Sequence, residues 1–149
     1  MNEFEAVIRV LLALFLGALI GVERVHAKKR AGIRTLGLVA MGSALFVVVS
    51  QLVLAEVTHA VEPLRVAAHV ITGIGFLGGG MIILRDDKLA NLTTAAGIWV
   101  AAGIGIAIGF GLYTLGILVT MLVIITFTWM WYLEDVLRKR FDATEGDKS

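Results

Sequence analysis

The stretch that decides the fold is residues 93–133, TTAAGIWVAAGIGIAIGFGLYTLGILVTMLVIITFTWMWYL. A single helix of this length would measure roughly 60 Å, about twice the hydrocarbon thickness of a bilayer. The sequence Gly109-Phe110-Gly111 lies near its middle and is typical of a tight turn. The stretch therefore predicts two membrane-spanning helices, 93–111 and 112–133, that are joined by that turn.

Three further apolar runs, at about 6–22, 35–55 and 66–84, approach the roughly 20 residues that a spanning helix needs. The 149-residue chain is 58% hydrophobic and 17% charged, whereas about a quarter of the residues of a soluble domain are charged. Acidic residues precede the first run, so we interpret it as a retained helix and not as a signal peptide. The sequence predicts an all-α bundle of five transmembrane helices over 1–133 and a short charged tail over 134–149.

The lysines and arginines predict the orientation of the bundle. Of the 13 in the chain, only Arg9 and Arg65 fall on the N-terminal side of the predicted membrane. The others lie in the loops after helices 1 and 3 and in the tail. Because positive charge accumulates in cytoplasmic loops, we expect the N-terminus outside and the C-terminus in the cytoplasm.

The composition also argues against several classes of function. A net charge of +1 provides no field that would attract nucleic acid. The chain has no cysteine, which excludes disulfides and thiolate chemistry. We find no hydrolase triad, phosphate-binding loop, histidine-rich metal motif or intramembrane carboxylate pair. The sequence therefore predicts a protein that is not an enzyme and that needs no cofactor.

Helix 3 combines ionisable residues with glycines. Arg65 and His69 are four residues apart and share a helix face. His69 is either a proton-sensitive element or a buried histidine that bonds to a neighbouring helix, with Arg65 extending outward. Five glycines follow within the eight residues 73–80. The helix is either packed very closely or unwound near Gly78, Gly79 and Gly80, where exposed backbone could line an ion or solute site.

Helix 1 ends with a GxxxG motif, Gly17 to Gly21, followed by Glu23 and Arg24. This motif either carries the charged pair into a site at the membrane edge or is a packing motif with a charged cap. Arg34, next to Thr35, opens helix 2. Its side chain could pair with Glu23, hold an anion such as phosphate, or only contribute to the topology.

The segment between helices 3 and 4 offers two weaker candidate sites. Asp86 and Asp87 could bind a hard cation such as Mg²⁺, but two adjacent aspartates in a loop are more often part of a solvated turn. Asn91, Thr93 and Thr94 are candidate N-capping residues of helix 4, and a helix N-terminus is also an anion site.

Five short motifs, taken in order, resemble those of the MgtC/SapB family of bacterial inner-membrane proteins. The resemblance covers about 7–133 and implies a shared role for Glu23, Arg24, Arg34, Arg65 and the pair Thr93–Thr94. Three positions depart from the family pattern: Leu36 replaces a common histidine, Gly79 a usual alanine and Asn91 a common glycine. The motifs are Gly21-Val22-Glu23-Arg24, Ala31-Gly32-Ile33-Arg34-Thr35, Pro63-Leu64-Arg65-Val66-Ala67-Ala68, Gly73-Ile74-Gly75-Phe76-Leu77-Gly78-Gly79-Gly80, and Leu92-Thr93-Thr94-Ala95-Ala96 with Trp99.

The resemblance implies a multi-pass protein of the bacterial inner membrane, in a short form without the further cytoplasmic domain of many relatives. It implies a non-enzymatic regulator linked to adaptation to low magnesium or acid stress. Such a regulator would act through helix contacts as a homo-oligomer or on a membrane partner such as the proton-translocating ATP synthase. The alternative is a small oligomeric transporter of magnesium or another ion or solute. Its site would lie near Gly78–Gly80 and be ringed by Glu23, Arg34, Asn91 and Thr93.

Overall fold

The computed structural model describes residues 1–54, 63–85 and 88–146. Each of its five helices contains a stretch long and apolar enough to cross a membrane. The five predicted spans are thus confirmed, and their boundaries shift by one to four residues except at the end of the last helix. The helices are α1 (Glu3–His26), α2 (Ile33–Leu54), α3 (Pro63–Met81), α4 (Leu92–Gly109) and α5 (Tyr113–Gly146).

The last helix is much longer than the membrane is thick. Its apolar stretch is Tyr113–Met130, but the helix continues to Gly146 and contains 34 residues. At 1.5 Å per residue it is about 50 Å long, compared with roughly 30 Å for the hydrocarbon core. Residues 134–146 of the predicted tail therefore extend the same helix.

The segment between α3 and α4 is a small hairpin and not an open loop. Strand β1 (Ile83–Arg85) pairs antiparallel with β2 (Lys88–Ala90). Asp86 and Asp87, the weak candidates for a magnesium site, lie between the strands and outside the described residues.

The turn between α4 and α5 forms as the Gly-Phe-Gly sequence predicts. Gly111 has a φ of +82°, a left-handed conformation that a side chain rarely adopts. The N–H of Gly111 donates to the carbonyl of Ile108, and that of Leu112 donates to the carbonyl of Ala107. These two bonds form a Schellman motif, which satisfies carbonyls that the end of α4 would otherwise leave free.

Helix α4 lies at the centre of the bundle and contacts all four of the other helices. Of its residues 56% are buried, compared with 11% in the apolar stretches of α3 and α5. Its sequence is apolar on every face, as expected of a helix that is surrounded by protein. Helices α3 and α5 therefore form the outside of the bundle.

Glycines allow α1 and α4 to approach α2 at backbone distance. A methyl group added to Gly17 would lie 2.7 Å from the Cβ of Ala40, and one added to Gly109 would lie 2.8 Å from the Cβ of Val47. A methyl group at Gly105 would overlap the carbonyl oxygen of Ala40. Close packing at the GxxxG motif of α1 is thus present, and α4 packs against α2 in the same way.

Candidate functional site

The polar side chains lie mainly at the two ends of the bundle. We call the end that contains the N-terminus of α1 and the C-terminus of α4 the Arg9 end. The opposite end, with the C-terminus of α1 and the N-terminus of α4, is the Arg24 end. Between them, the core consists of aliphatic and small residues of α1, α2 and α4.

A buried ion pair lies at the Arg24 end. Arg24 is only 3% exposed, and its guanidinium bonds both carboxylate oxygens of the adjacent Glu23, with 2.7 Å between Nη2 and Oε1. The Cζ of Arg24 lies 3.6 Å from the centre of the Phe127 ring in α5. A desolvated cation benefits from such a contact because the ring face is electronegative. The geometry of the pair is thus defined, and both interpretations of it, a site at the membrane edge or a charged cap, stay predictions.

Arg34 and Thr35 do not join this pair. Both are exposed at the start of α2. The described ion pair of Glu23 is with Arg24 and none involves Arg34, so the hypothesis that Arg34 pairs with Glu23 is wrong. The other two interpretations of Arg34, an anion contact or a topology signal, stay predictions.

Asn91 caps a different helix from the one predicted. It precedes α4 with a left-handed φ of 65° and makes no capping bond to that helix. An N-cap side chain usually needs an extended backbone to reach the first N–H groups of its helix. Instead, the Asn91 Nδ2 donates a 3.2 Å hydrogen bond to the carbonyl of Met81, the last residue of α3. Thr93 is exposed, whereas Thr94 is buried in the bundle.

Helix α3 carries its polar residues on the outside. Arg65 and His69 are both exposed, and Thr72 bonds the Ala68 carbonyl of its own helix. The interpretation of His69 as a buried histidine is therefore wrong. His69 lines an open groove of about 530 Å³ between α2 and α3, together with small residues such as Gly42 and Ser43.

The glycine-rich part of α3 is an intact helix. The helix continues through Gly78, Gly79 and Gly80 to Met81, so the hypothesis of an unwound segment is wrong. Close packing is not found either: a methyl group at Gly78 would meet Ala95 at 3.8 Å, an ordinary contact distance. Methyl groups at the other four glycines of 73–80 would have no atom of the described protein within 4 Å.

The predicted ring of polar groups around Gly78–Gly80 does not form among the described residues. Glu23 bonds Arg24, Asn91 bonds Met81, and Arg34 and Thr93 are exposed. No hydrogen bond or ion pair that the structure describes links any two of these four residues. The transport site of the alternative hypothesis therefore stays a prediction.

The polar network at the Arg9 end was not predicted. Arg9 forms an ion pair with Glu5, and its Nε lies 3.1 Å from the hydroxyl of Tyr113. Its Nη1 lies 2.8 Å from the carbonyl of Gly109 and 3.3 Å from the Oε1 of Gln51. The network joins α1, α2, α4 and α5 through one guanidinium.

A sequence signal for part of this network was available. Glu5 and Arg9 are spaced i, i+4, with the acidic residue first, which is the favourable order on a helix. The partners Gln51, Gly109 and Tyr113 are at least 42 residues away in sequence. Only the packing of the helices brings them to Arg9.

Comparison with known proteins agrees with this architecture. The model of the MgtC family matches residues 10–136. The Escherichia coli (strain K12) protein YhiD, whose name gives magnesium transport as a provisional role, is 46% identical over 130 residues. The protein slr0014 of Synechocystis is 40% identical over 121 residues, and the protein MgtC of Salmonella typhimurium (strain LT2) is 41% identical over 99. No solved structure matches the chain.

These matches extend over most of the chain but over only part of each relative. They cover 83%, 81% and 66% of this chain, and 60%, 50% and 41% of YhiD, slr0014 and MgtC respectively. Together with the five spanning helices, the bacterial relatives indicate a multi-pass protein of the inner membrane. The chain belongs to the MgtC family.

Proposed function

We propose that this chain is a non-enzymatic regulator of the bacterial inner membrane that acts through the outer face of α3. The observation that carries the proposal is the uncovered glycine surface of that helix. Glycine costs about 1 kcal/mol relative to alanine inside a helix, and the described protomer gains no close contact there in return. The glycines that face α2 from α1 and α4, in contrast, all lie against its backbone or side chains.

A surface of this kind suits another transmembrane helix. Helices in lipid associate by van der Waals packing, and small residues let their backbones approach closely. The partner would be a second copy of this chain or a helix of another membrane protein, for which the family resemblance suggests the proton-translocating ATP synthase. This surface is the basis for preferring a regulator that acts by contact.

Transport through a single protomer has less support. Glycines bring the backbones of α1, α2 and α4 together in the middle of the described bundle, and its core there is apolar. An ion would have to leave water and cross that apolar region without ligands, which is very costly. Magnesium transport, the provisional role in the name of YhiD, would thus require a path between copies.

Crosslinking in native membranes tests the proposal. The chain has no cysteine, so a single Gly79→Cys variant can carry a thiol-linked photocrosslinker. Leu118→Cys in α5 is the matched control because Leu118 is 54% exposed on a helix with no glycine surface. We expect discrete protein adducts from position 79 and none from position 118. Absence of adducts at both positions would contradict a docking role for α3.

Flux measurements separate the regulator from the transporter. Purified protein in liposomes would be assayed for Mg²⁺ and proton flux beside empty liposomes and the Arg34→Ala and Thr93→Ala variants. We expect no flux above that of empty liposomes. Flux that the two variants abolish would instead identify an oligomeric transporter with its site at the Arg24 end.

A further inference from the structure

A second cavity, separate from the α3 surface, lies at the Arg24 end between α1 and α5. Its volume is about 530 Å³, and it is more enclosed than the groove between α2 and α3. Residues from the end of α1 and from the middle of α5 line it. They are Glu23, His26, Ala27, Lys28, Phe127 and Thr128.

The charges around this cavity favour an anion over a cation. The guanidinium of Arg24 bonds both carboxylate oxygens of Glu23, so the charge of Arg24 offsets the negative charge in the lining. Lys28 is exposed and forms no ion pair with another described residue. Among the described residues, Glu23, Arg24 and Lys28 together leave one positive charge beside the cavity.

Two further side chains offer donors to a ligand. The two side chains are those of Thr128 and His26. Elsewhere in α5, the hydroxyls of Thr120 and Thr126 each donate to the carbonyl four residues earlier. Among the described residues, Thr128 makes no such bond and remains available to an acceptor in the cavity. His26 is exposed and can donate from its ring.

The position of the cavity indicates which anion would reach it. Trp129 directly follows Thr128 and is 76% exposed, and Tyr132 is 69% exposed. Exposed tryptophan and tyrosine at the end of a spanning segment are typical of the headgroup level of a bilayer. Lys29 and Arg30, next to Lys28, add positive charge at the same level, which attracts anionic lipid.

We propose that this cavity binds the phosphate of an anionic phospholipid headgroup, with Lys28, His26 and Thr128 as donors. Glu23, which bonds the buried Arg24, and the Phe127 ring form part of its wall. The proposal does not depend on the α3 surface, because its residues lie on α1, in the loop that follows α1 and on α5. A free phosphate ion has the same binding chemistry, and the experiment must separate the two sources.

Lipid competition measured by native mass spectrometry provides the test. The full chain would be equilibrated with equal amounts of phosphatidylglycerol and phosphatidylcholine with identical acyl chains, and the ratio of the two bound lipids recorded. We expect wild-type protein to prefer phosphatidylglycerol. Lys28→Gln should lower that preference about fivefold, the effect of losing one basic contact to anionic lipid.

Matched variants distinguish a site from a diffuse surface charge. Lys29→Gln removes a positive charge from the neighbouring residue, which does not line the cavity. Thr128→Val removes the hydroxyl of a lining residue, and Thr126→Val is its control. We expect Thr126→Val to change the lipid ratio by less than about twofold, and Lys29→Gln to lower it clearly less than Lys28→Gln does, because Lys29 attracts the lipid only from outside the cavity. Equal losses for Lys28→Gln and Lys29→Gln would overturn the proposal.

Inorganic phosphate tests the source of the ligand. We expect millimolar phosphate to leave the bound phosphatidylglycerol in place. Displacement of the lipid, with saturable phosphate binding that Lys28→Gln removes, would assign the cavity to a soluble anion and overturn the lipid assignment. Thermal unfolding of each variant shows whether the changes arise with the fold intact.

Discussion

Arg9 in α1 donates a 2.8 Å hydrogen bond to the main-chain carbonyl of Gly109, the last residue of α4. The final carbonyls of a helix have no partner within it, and the negative end of the helix dipole favours a cation there. The same guanidinium contacts Gly111, where a methyl group would lie 2.9 Å from Nη2. The turn between α4 and α5 is therefore built around the Arg9 side chain.

Replacing Arg9 should destabilise the bundle. Arg9→Ala would remove several hydrogen bonds that the charged guanidinium donates at a largely buried position. We therefore expect the free energy of unfolding to fall by about 2–3 kcal/mol. Arg9→Lys keeps the charge but not the planar fork, so its loss should be smaller. The measurement is the free energy of unfolding in one neutral detergent. Arg65→Ala is the control because Arg65 is exposed, and an equal loss there would contradict the role of the network.

Two glycine substitutions should have opposite consequences. Gly105→Ala would place a methyl group onto the Ala40 carbonyl at the centre of the bundle, so we expect a loss of about 3 kcal/mol. Gly79→Ala meets nothing within 4 Å and removes a poor helix former, so the monomer should be unchanged or more stable by up to about 1 kcal/mol. Melting temperatures in detergent test both. Strong destabilisation by Gly79→Ala would show that the isolated chain already uses the α3 surface.

The Phe127 ring should stabilise the buried Arg24. Phe127→Leu retains an apolar side chain but removes the aromatic face that lies 3.6 Å from Cζ, and we expect a loss of about 1–2 kcal/mol. Phe15→Leu is the matched control, because Phe15 is 58% exposed and should matter by less than about 0.5 kcal/mol. Chemical unfolding compares the two. Similar losses would mean that the ring contributes only volume.

The sequence predicted the fold well because each spanning helix is encoded locally. An apolar run of sufficient length identifies it, and the Gly109-Phe110-Gly111 turn resolves α4 from α5. The contacts of Gly17 and Gly105 were also predictable as close packing, since small residues at helical spacing have few other uses in a membrane. The periodicity of the sequence does not indicate which helix becomes central, because that depends on how the surfaces of all five helices fit together.

The candidate site was less predictable because it depends on partners that are distant in sequence. The sequence around Arg9 indicates only a charge that contributes to topology, since nothing nearby indicates its bonds to α2, α4 and α5. The sequence suggests that His69 enters the bundle and that Gly79 lies in a closely packed or unwound helix. Both residues are instead exposed on α3, which is an intact helix. A polar or small residue in an apolar run indicates that a partner is needed, but not whether that partner belongs to the same chain.

Asn91 offers a test that separates backbone conformation from side-chain bonding. Its left-handed φ of 65° suits glycine or asparagine better than other residues. Asn91→Ala should cost about 2 kcal/mol, because it combines left-handed strain with loss of the bond to Met81. Asn91→Gly loses the same bond without the strain, so its cost should be about half or less. Unfolding in detergent would contradict this account if the glycine variant were as unstable as the alanine variant, because the hydrogen bond alone would then explain the residue.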